Sequence, residues 1–370
     1  MRPNCFSVII AGGKGTRFWP LSRAQRPKQL LKIIGRKSLI EATADRVRQV
    51  SGSSQTLVVT VADQLPALRR ALPDLPRKNF IAEPEGRNTA PCIGLAALEI
   101  VARDPGAVMI VLPADHWVGD SAGFRRTLRE AARMAMEHDR LVTIGIRPEY
   151  PETGYGYILK GKPIAGPFPA RGFMVQRFTE KPKLALARRL VRRGSLWNSG
   201  IFVWKAATLL ELLGRYQPEI SAALERIKRA AAGASLARPG AKLRSVIARE
   251  YTKMPNLSID YALMEKAGTD GKVLTIEAAF GWSDVGSWAA VHRLLQKDRV
   301  GIAGEGRCLA LHRRNSLFNA NDRLVVILGI QNALIVDTAD ALLVADLSRS
   351  QEVRDIVDEL KHRGLGAYTV

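Results

Sequence analysis

Cysteine is scarce in this 370-residue chain and histidine nearly so, at three and five residues. Cys5, Cys92 and Cys308 lie far apart, form no CxxC pair and share no ligand spacing with the histidines. That excludes a disulfide framework and a cysteine–histidine zinc site, and leaves three thiols expected to be buried and inert. Aromatic residues are only 6% of the chain, and none is interleaved with a basic stretch as nucleic-acid-binding surfaces require. No apolar run approaches the ~20 residues of a membrane span. The opening MRPNCFSVII has too short an apolar run for a secretory signal before glycines interrupt it. Low-complexity tracts and short-period repeats are lacking too. The expectation is a soluble, cytoplasmic, globular protein without a membrane partner.

Apolar and basic residues are plentiful. A hydrophobic fraction of 46% supplies a real core, and the length fits one large α/β domain with a smaller one attached. The formal charge is +21, from 56 Lys and Arg against 35 Asp and Glu. Such a surplus favours anionic partners. Many of the cations sit on the expected outer faces of helices, as in Arg125, Arg126, Arg129 and Arg133, or Arg188, Arg189, Arg192 and Arg193. With no helix-turn-helix or RNA-binding signature beside them, the charge points to small anionic molecules and not to nucleic acid.

Along the chain, compact apolar runs alternate with helical periodicity. CFSVIIA (5–11), TLVVTV (56–61), AVMIVL (107–112) and LVTIGI (141–146) read as buried parallel strands. Ser38 and Glu41 have capping-box spacing for a helix through about Val50. Asn88 or Thr89 can cap a second helix with Pro91 in its first turn, and a third spans about 121–138. This alternation predicts a Rossmann-like, mostly parallel sheet with helices on both faces. From about 150 the pattern loosens. YGYILK, FMVQRFTEK and GIFVWK read as strands, with helical stretches near 183–194, 206–231 and 258–267, an insertion expected to build the second wall of a cleft. After a helix near 286–297, short apolar pieces between Gly, Asn and Asp suggest a small all-β unit, closed by a helix near 350–363. We place the division at 1–297 and 298–370.

Ligands in open parallel sheets sit beyond the carboxyl ends of the strands. The first strand delivers GGKGTRFWPLSRAQRPK, Gly12 to Lys28, to that edge. Three glycines in four residues leave backbone N–H groups free to converge on a phosphate. Neither common phosphate motif fits: Walker A would need glycine at Val8 and a hydroxyl at Gly15, and the dinucleotide fingerprint would need glycine at Phe18.

The extended motif G-G-x-G-T-R-F-W-P-L-S-R followed by P-K-Q resembles the sugar-1-phosphate nucleotidyltransferases, in their mannose-1-phosphate guanylyltransferase branch. Further segments match in order: EPEGRNTAP (83–91), LPADH (112–116), GYGYI (154–158), TEKP (179–182), WNSGIF (197–202), SIDYALMEK (258–266), GWSDVGSW (281–288) and VDTADALLVAD (336–346). The resemblance covers nearly the whole chain. It implies transfer of GMP from GTP to α-D-mannose 1-phosphate with release of pyrophosphate. The alternatives are another hexose 1-phosphate or NTP, such as glucose 1-phosphate with UTP or dTTP, or a non-catalytic homologue that keeps the fold. It further implies a β-helix-like tail and a possible homodimer. The tail lacks the length and the His/Glu cluster of the isomerase domain fused to longer relatives, so no isomerase activity is expected.

Elementary chemistry agrees with that reaction. The attacking phosphate oxygen is already anionic, so no strong base is needed. The obstacle is bringing anions together and stabilising charge on the α-phosphate and the departing pyrophosphate. Mg²⁺ held by one or two carboxylates, with Arg and Lys on the phosphates, meets that need. By resemblance the metal ligands are Asp115 and Asp284, although a turn or helix cap competes for each. Gly12, Gly13, Lys14, Gly15, Thr16, Arg17 and Lys28 fall to the triphosphate. Glu83, Arg87, Asn88 and Thr89 fall to the base-recognition segment, where a carboxylate or carbonyl can accept from guanine N1–H and N2–H₂; capping competes for Asn88 and Thr89. Glu180, Lys181, Asn198 and Asp260 fall to the sugar phosphate, with the backbone at Gly156 and Tyr157 approaching it closely. Cys92 stands where the family usually has alanine.

Overall fold

The computed structural model describes residues 4–13, 15–164, 172–311 and 314–370. They gather into two compact units: Met1–Gly12, Thr43–Ala114 and Val118–Trp282 form the first, and Gly13–Ala42, Asp115–Trp117 and Ser283–Val370 the second. The strands are β1 (Cys5–Ile10), β2 (Thr56–Val61), β3 (Phe80–Glu83), β4 (Val108–Pro113), β5 (Trp117–Val118), β6 (Leu141–Ile146), β7 (Tyr157–Pro163), β8 (Gly172–Thr179), β9 (Leu196–Lys205), β10 (Val273–Ala278), β11 (Trp282–Ser283), β12 (Ala303–Leu311), β13 (Leu317–Leu328), β14 (Ala333–Asp337) and β15 (Leu342–Asp346). The helices are α1 (Leu39–Ser51), α2 (Leu65–Ala71), α3 (Thr89–Arg103), α4 (Ser121–His138), α5 (Leu184–Arg192), α6 (Ala206–Tyr216), α7 (Pro218–Ala231), α8 (Ala241–Tyr251), α9 (Glu265–Thr269), α10 (Trp288–Leu294) and α11 (Val353–His362).

The first unit is built on a nine-stranded sheet in the order β3-β2-β1-β4-β9-β6-β10-β8-β7. Neighbours β3, β2, β1 and β4 are parallel, as are β6 and β10. β9 is inserted antiparallel between β4 and β6, and β8 lies antiparallel to β10 and β7. The sheet is therefore mixed but mostly parallel, with β8 and β9 running against the rest. β1, β2, β4 and β6 bury nearly every side chain, which is why they read as unbroken apolar runs. On α4, Asp120 accepts from the Ala122 and Gly123 N–H groups at 3.0 and 2.9 Å and starts the helix. Phe124, Leu128, Ala131, Ala132 and Ala135 are buried, while Arg126, Arg129 and Arg133 lie on its outer side. Arg188, Arg189, Arg192 and Arg193 of α5 and its end face outward in the same way.

Several elements differ from the sequence reading, among them α2, which it did not anticipate. The helical stretch 206–231 is two helices, α6 and α7, because Pro218 lacks the N–H to continue the first and suits the opening turn of the second. α8 follows Pro239-Gly240, whose turn signals mask a helix the sequence reading did not anticipate. The stretch 258–267 opens as a π-turn over Asp260–Met264 before α9 begins.

The second unit contains a four-stranded sheet in the order β12-β13-β14-β15, parallel except for its last pair. One core joins Ala303, Leu317, Leu334, Val336 and Leu343 from these strands to Val353 and Val357 of α11 and to Phe18, Trp19, Leu31 and Ile33. No disulfide joins any of the three cysteines; Cys5 and Cys92 are buried as expected, but Cys308 on β12 is only half-buried. No described helix is long and apolar enough to cross a membrane.

Candidate functional site

β1 ends at Ile10 and hands the chain to the glycine loop. A Cβ on Gly12 would stand 3.5 Å from Glu83 Oε1, whereas one on Gly13 would meet nothing within 4 Å. Gly15 adopts φ +64°, in the left-handed region, and a Cβ there would collide with the Lys28 side chain and backbone. Glycine is thus required at 15 twice over, by backbone angle and by the closeness of Lys28. Thr16 and Arg17 lie in the short turn that follows, and Arg17 is exposed. Lys14 lies outside the described residues.

Lys28 is buried, with 6% of its surface exposed. Its Nζ donates to Asp115 Oδ2 at 2.7 Å and to the Asp284 carbonyl at 2.7 Å, and it stands 5.5 Å over the Phe18 ring. One ammonium thus gathers the two aspartates from places 169 residues apart in sequence. Burial alone would raise the Asp115 carboxyl, but the charges of Lys28 and His116 and the Lys28 hydrogen bond hold it below the usual range. Asp284 Oδ1 accepts from the Gly286 N–H at 3.0 Å. A Cβ on Gly286 would press on Asp284 Oδ2 at 2.6 Å, so glycine lets the backbone come that near. The cap of α10 is Ser287, whose hydroxyl accepts from the Ala290 N–H at 3.4 Å. Asp284 is therefore not used up as that helix cap, and Asp120, not Asp115, caps α4.

Asp115 and Asp284 offer hard oxygen donors, the type that Mg²⁺ takes. Among the described residues no three His, Cys, Asp or Glu side chains are grouped as a metal cage. Two carboxylates fit an ion that draws its remaining ligands from phosphate and water.

Glu83 ends β3 and is buried, and its Oε2 accepts a hydrogen bond from the Tyr251 hydroxyl. Burial pushes its carboxyl up to about 7, although the Tyr251 hydrogen bond pulls the other way. Arg87 donates to Glu85 at 2.6 Å and to the Met254 carbonyl at 2.9 Å. Asn88, at φ +62°, caps α3 by accepting from the Thr89 N–H at 2.9 Å. The Thr89 hydroxyl accepts from the Ile259 N–H at 2.8 Å. The competing structural roles of Asn88 and Thr89 are thus real, and they tie this segment to SIDYALMEK.

Glu180, Lys181, Asn198 and Asp260 come together in the first unit. Lys181 Nζ pairs with Glu180 Oε1 at 3.0 Å, and Asn198 Nδ2 donates to Asp260 Oδ1 at 3.0 Å. Asn198 is fixed further by Thr143, whose hydroxyl donates to its Oδ1 at 2.9 Å, and by its own N–H donating to the Gly156 carbonyl at 2.8 Å. A Cβ on Gly156 would run into Glu180 Oε2, a buried oxygen without a hydrogen-bond partner. Burial and the nearby Glu180 charge raise the Asp260 carboxyl to about 7. Tyr157 is fully buried, donates its hydroxyl to the Glu152 carbonyl at 2.8 Å, and lies in the sheet in register with Thr179 on one side and Trp197 on the other. Glu265, which accepts from the Glu180 N–H at 3.2 Å, was missed by sequence reasoning although it lies inside SIDYALMEK. Tyr251 had no local signal at all.

A glycine turn after a parallel strand, with a buried lysine and two aspartates drawn to it, is the equipment of an α/β protein that handles phosphate esters and a cation. The family model described as nucleotidyl transferase matches residues 6–300, and that of the MannoseP isomerase/GMP-like beta-helix domain matches 306–360. The chain belongs to the nucleotidyl transferase family. It is 37% identical to a mannose-1-phosphate guanylyltransferase of Escherichia coli (strain K12), over 97% of this chain and 74% of that protein. It is also 37% identical to a xanthan biosynthesis protein of Xanthomonas campestris pv. campestris (strain B100), over 96% of this chain and 73% of the other. A crystal structure of mannose-1-phosphate geranyltransferase from Thermus thermophilus superimposes with a TM-score of 0.85 at 34% identity, over 97% of this chain and 99% of that one.

Proposed function

We propose that the protein transfers GMP from GTP to α-D-mannose 1-phosphate, forming GDP-mannose and pyrophosphate. The observation that carries this reading is the Lys28 ammonium holding Asp115 and Asp284 together beside Gly15. An oxygen of the sugar phosphate attacks the α-phosphorus in line. The new P–O bond forms as the bond to the β-phosphate breaks, and its electron pair leaves on pyrophosphate. No proton has to be removed. Mg²⁺ on Asp115 and Asp284 would supply positive charge to the phosphates. Arg17 and Lys28 offset charge on the leaving pyrophosphate, and Gly12, Gly13, Lys14, Gly15 and Thr16 cradle it through backbone N–H groups. Glu83, Arg87, Asn88 and Thr89 form the base-recognition segment. Glu180, Asn198 and Asp260 hold sugar hydroxyls, Lys181 holds the sugar's phosphate, and the backbone at Gly156 and Tyr157 lies against the sugar.

Residues 1–297 would act as the catalytic domain and 298–370 as the β-helix-like tail, a division supported by the two family matches at 6–300 and 306–360. We assign the protein to the cytoplasm, where GTP is made and used. A homodimer is supported by the outer face of the tail sheet. Leu309 and Leu311 of β12 pair in register with Val326 and Leu328 of β13, and all four are at least half exposed. Contiguous apolar surface of this kind marks an interface.

The deciding measurement is pyrophosphate release with Mg²⁺ over a grid of NTPs and hexose 1-phosphates. GTP with mannose 1-phosphate should rank first. A better rate with glucose 1-phosphate and UTP or dTTP would move the protein to another substrate pair within the family.

A further inference from the structure

Tyr251 ends α8, is fully buried, and lies 168 residues from the glutamate it contacts. Its hydroxyl donates to Glu83 Oε2, while Glu83 Oε1 is the oxygen turned toward Gly12. The other groups around this carboxylate are committed elsewhere. Arg87 is held by Glu85 and the Met254 carbonyl, and the Cys92 thiol contacts the Thr89 carbonyl at 3.4 Å. Burial raises the Cys92 thiol and the Tyr251 phenol well above their ordinary values, so both stay protonated across the working range.

Building on the reading that Glu83 serves the base, we infer that Tyr251 is a positioning residue for base recognition. Its phenol holds one carboxylate oxygen and leaves the other as the acceptor offered to the purine's N1–H and N2–H₂. The hydrogen bond also does electrostatic service. A carboxyl pushed up to about 7 by burial is partly protonated near neutrality, and a protonated acid is a poorer acceptor for those two donors. Donation from Tyr251 favours the ionised form, the one that binds guanine.

The test is Tyr251→Phe, which removes one oxygen and keeps the ring. The pH profile of kcat/KM for GTP should show its acidic limb moved up by about one unit, since a hydrogen bond to a charged group is lost. KM for GTP at pH 7 should rise by about fivefold and fall back toward the parent value at about pH 8.5, while kcat at saturating GTP changes less than about twofold. Glu83→Gln should flatten that limb and weaken the preference for GTP over ITP, which lacks the 2-amino group. Adding Tyr251→Phe to Glu83→Gln should raise KM no further, because the tyrosine acts through the carboxylate. An unmoved limb in Tyr251→Phe, or a full extra penalty in the double variant, would overturn the inference and leave the role of Glu83 standing. If Glu83→Gln itself binds GTP and ITP as the parent does, the base-reading role falls, and the inference with it. Should Tyr251→Phe fail to fold, ¹³Cζ-tyrosine NMR of the unaltered chain decides. One tyrosine resonance must step through the titration of Glu83, and that step must vanish in Glu83→Gln.

Discussion

Lys28 shows how one side chain can organise a site it does not complete. A buried ammonium needs counter-charge and hydrogen-bond acceptors; it finds the charge in the Asp115 carboxylate and a further acceptor in the backbone carbonyl of Asp284. The Asp284 carboxylate is itself anchored by the Gly286 N–H. Asp284→Asn keeps an oxygen for that bond but removes the negative charge a cation requires. Its pyrophosphate release should drop at least about 100-fold, in line with losing a preorganised charge at a phosphoryl-transfer site, with the melting temperature nearly unchanged. Near-parental turnover would take Asp284 out of the metal site. Gly15, Lys28 and the two aspartates were legible because their motifs are local: a glycine spacing, a Pro-Lys pair, an aspartate just past an apolar run. Tyr251 and Thr143 were not. Each reaches its partner across the fold, and no periodicity in the chain records such a contact.

Among the elements, α1 was the most fully foretold. Both the Ser38 N–H and hydroxyl donate to Glu41 Oε2, at 2.7 and 2.6 Å, and the Ser38 hydroxyl accepts from the Glu41 N–H at 3.4 Å. Ser38→Ala should cost about 1 kcal/mol, as cap deletions do. Urea unfolding would read this as a lower midpoint with an unchanged slope; no shift would mean Glu41 caps the helix by itself. β9 shows where reading an element from its sequence stops. Its apolar residues announced a buried strand, and it is one, but apolar content carries no direction. Only the pairing reveals that β9 runs against β4 and β6. α6 and α7 make a related point: amphipathic periodicity continued across Pro218, so the break depended on one missing N–H.

For the molecule as a whole, composition placed it correctly among α/β proteins with a core, and the outward arginines of α4 and α5 account for part of its basic excess. The tail sheet was foreseen as a small β unit, but its outer face was not. Side-chain alternation says that two faces exist, and it cannot say which one is left uncovered. Val326 and Leu328 are 57% and 64% exposed. If a second copy covers this face, Val326→Asp with Leu328→Asp should convert a dimer to a monomer in sedimentation equilibrium at micromolar concentration, while circular dichroism stays the same. An unmodified protein that sediments as a monomer would dispose of the dimer.

The shared core of the second unit has a consequence for how this chain can be cut and recombined. Phe18, Trp19 and Leu31, which flank the phosphate turn, pack in the same core as Leu317, Leu334, Val336 and Val357. Trp19 also donates its ring N–H to the Tyr368 carbonyl at 2.9 Å, and Arg23 pairs with Asp340 at 2.8 Å. A chain stopped at 297 would keep Val285, Trp288 and Val291 in that core but strip away the cover that the tail strands and α11 give those rings. The tail is then no detachable module. To exchange it for a relative's, one would have to transplant the residues lining the loop along with it, as a single inherited piece.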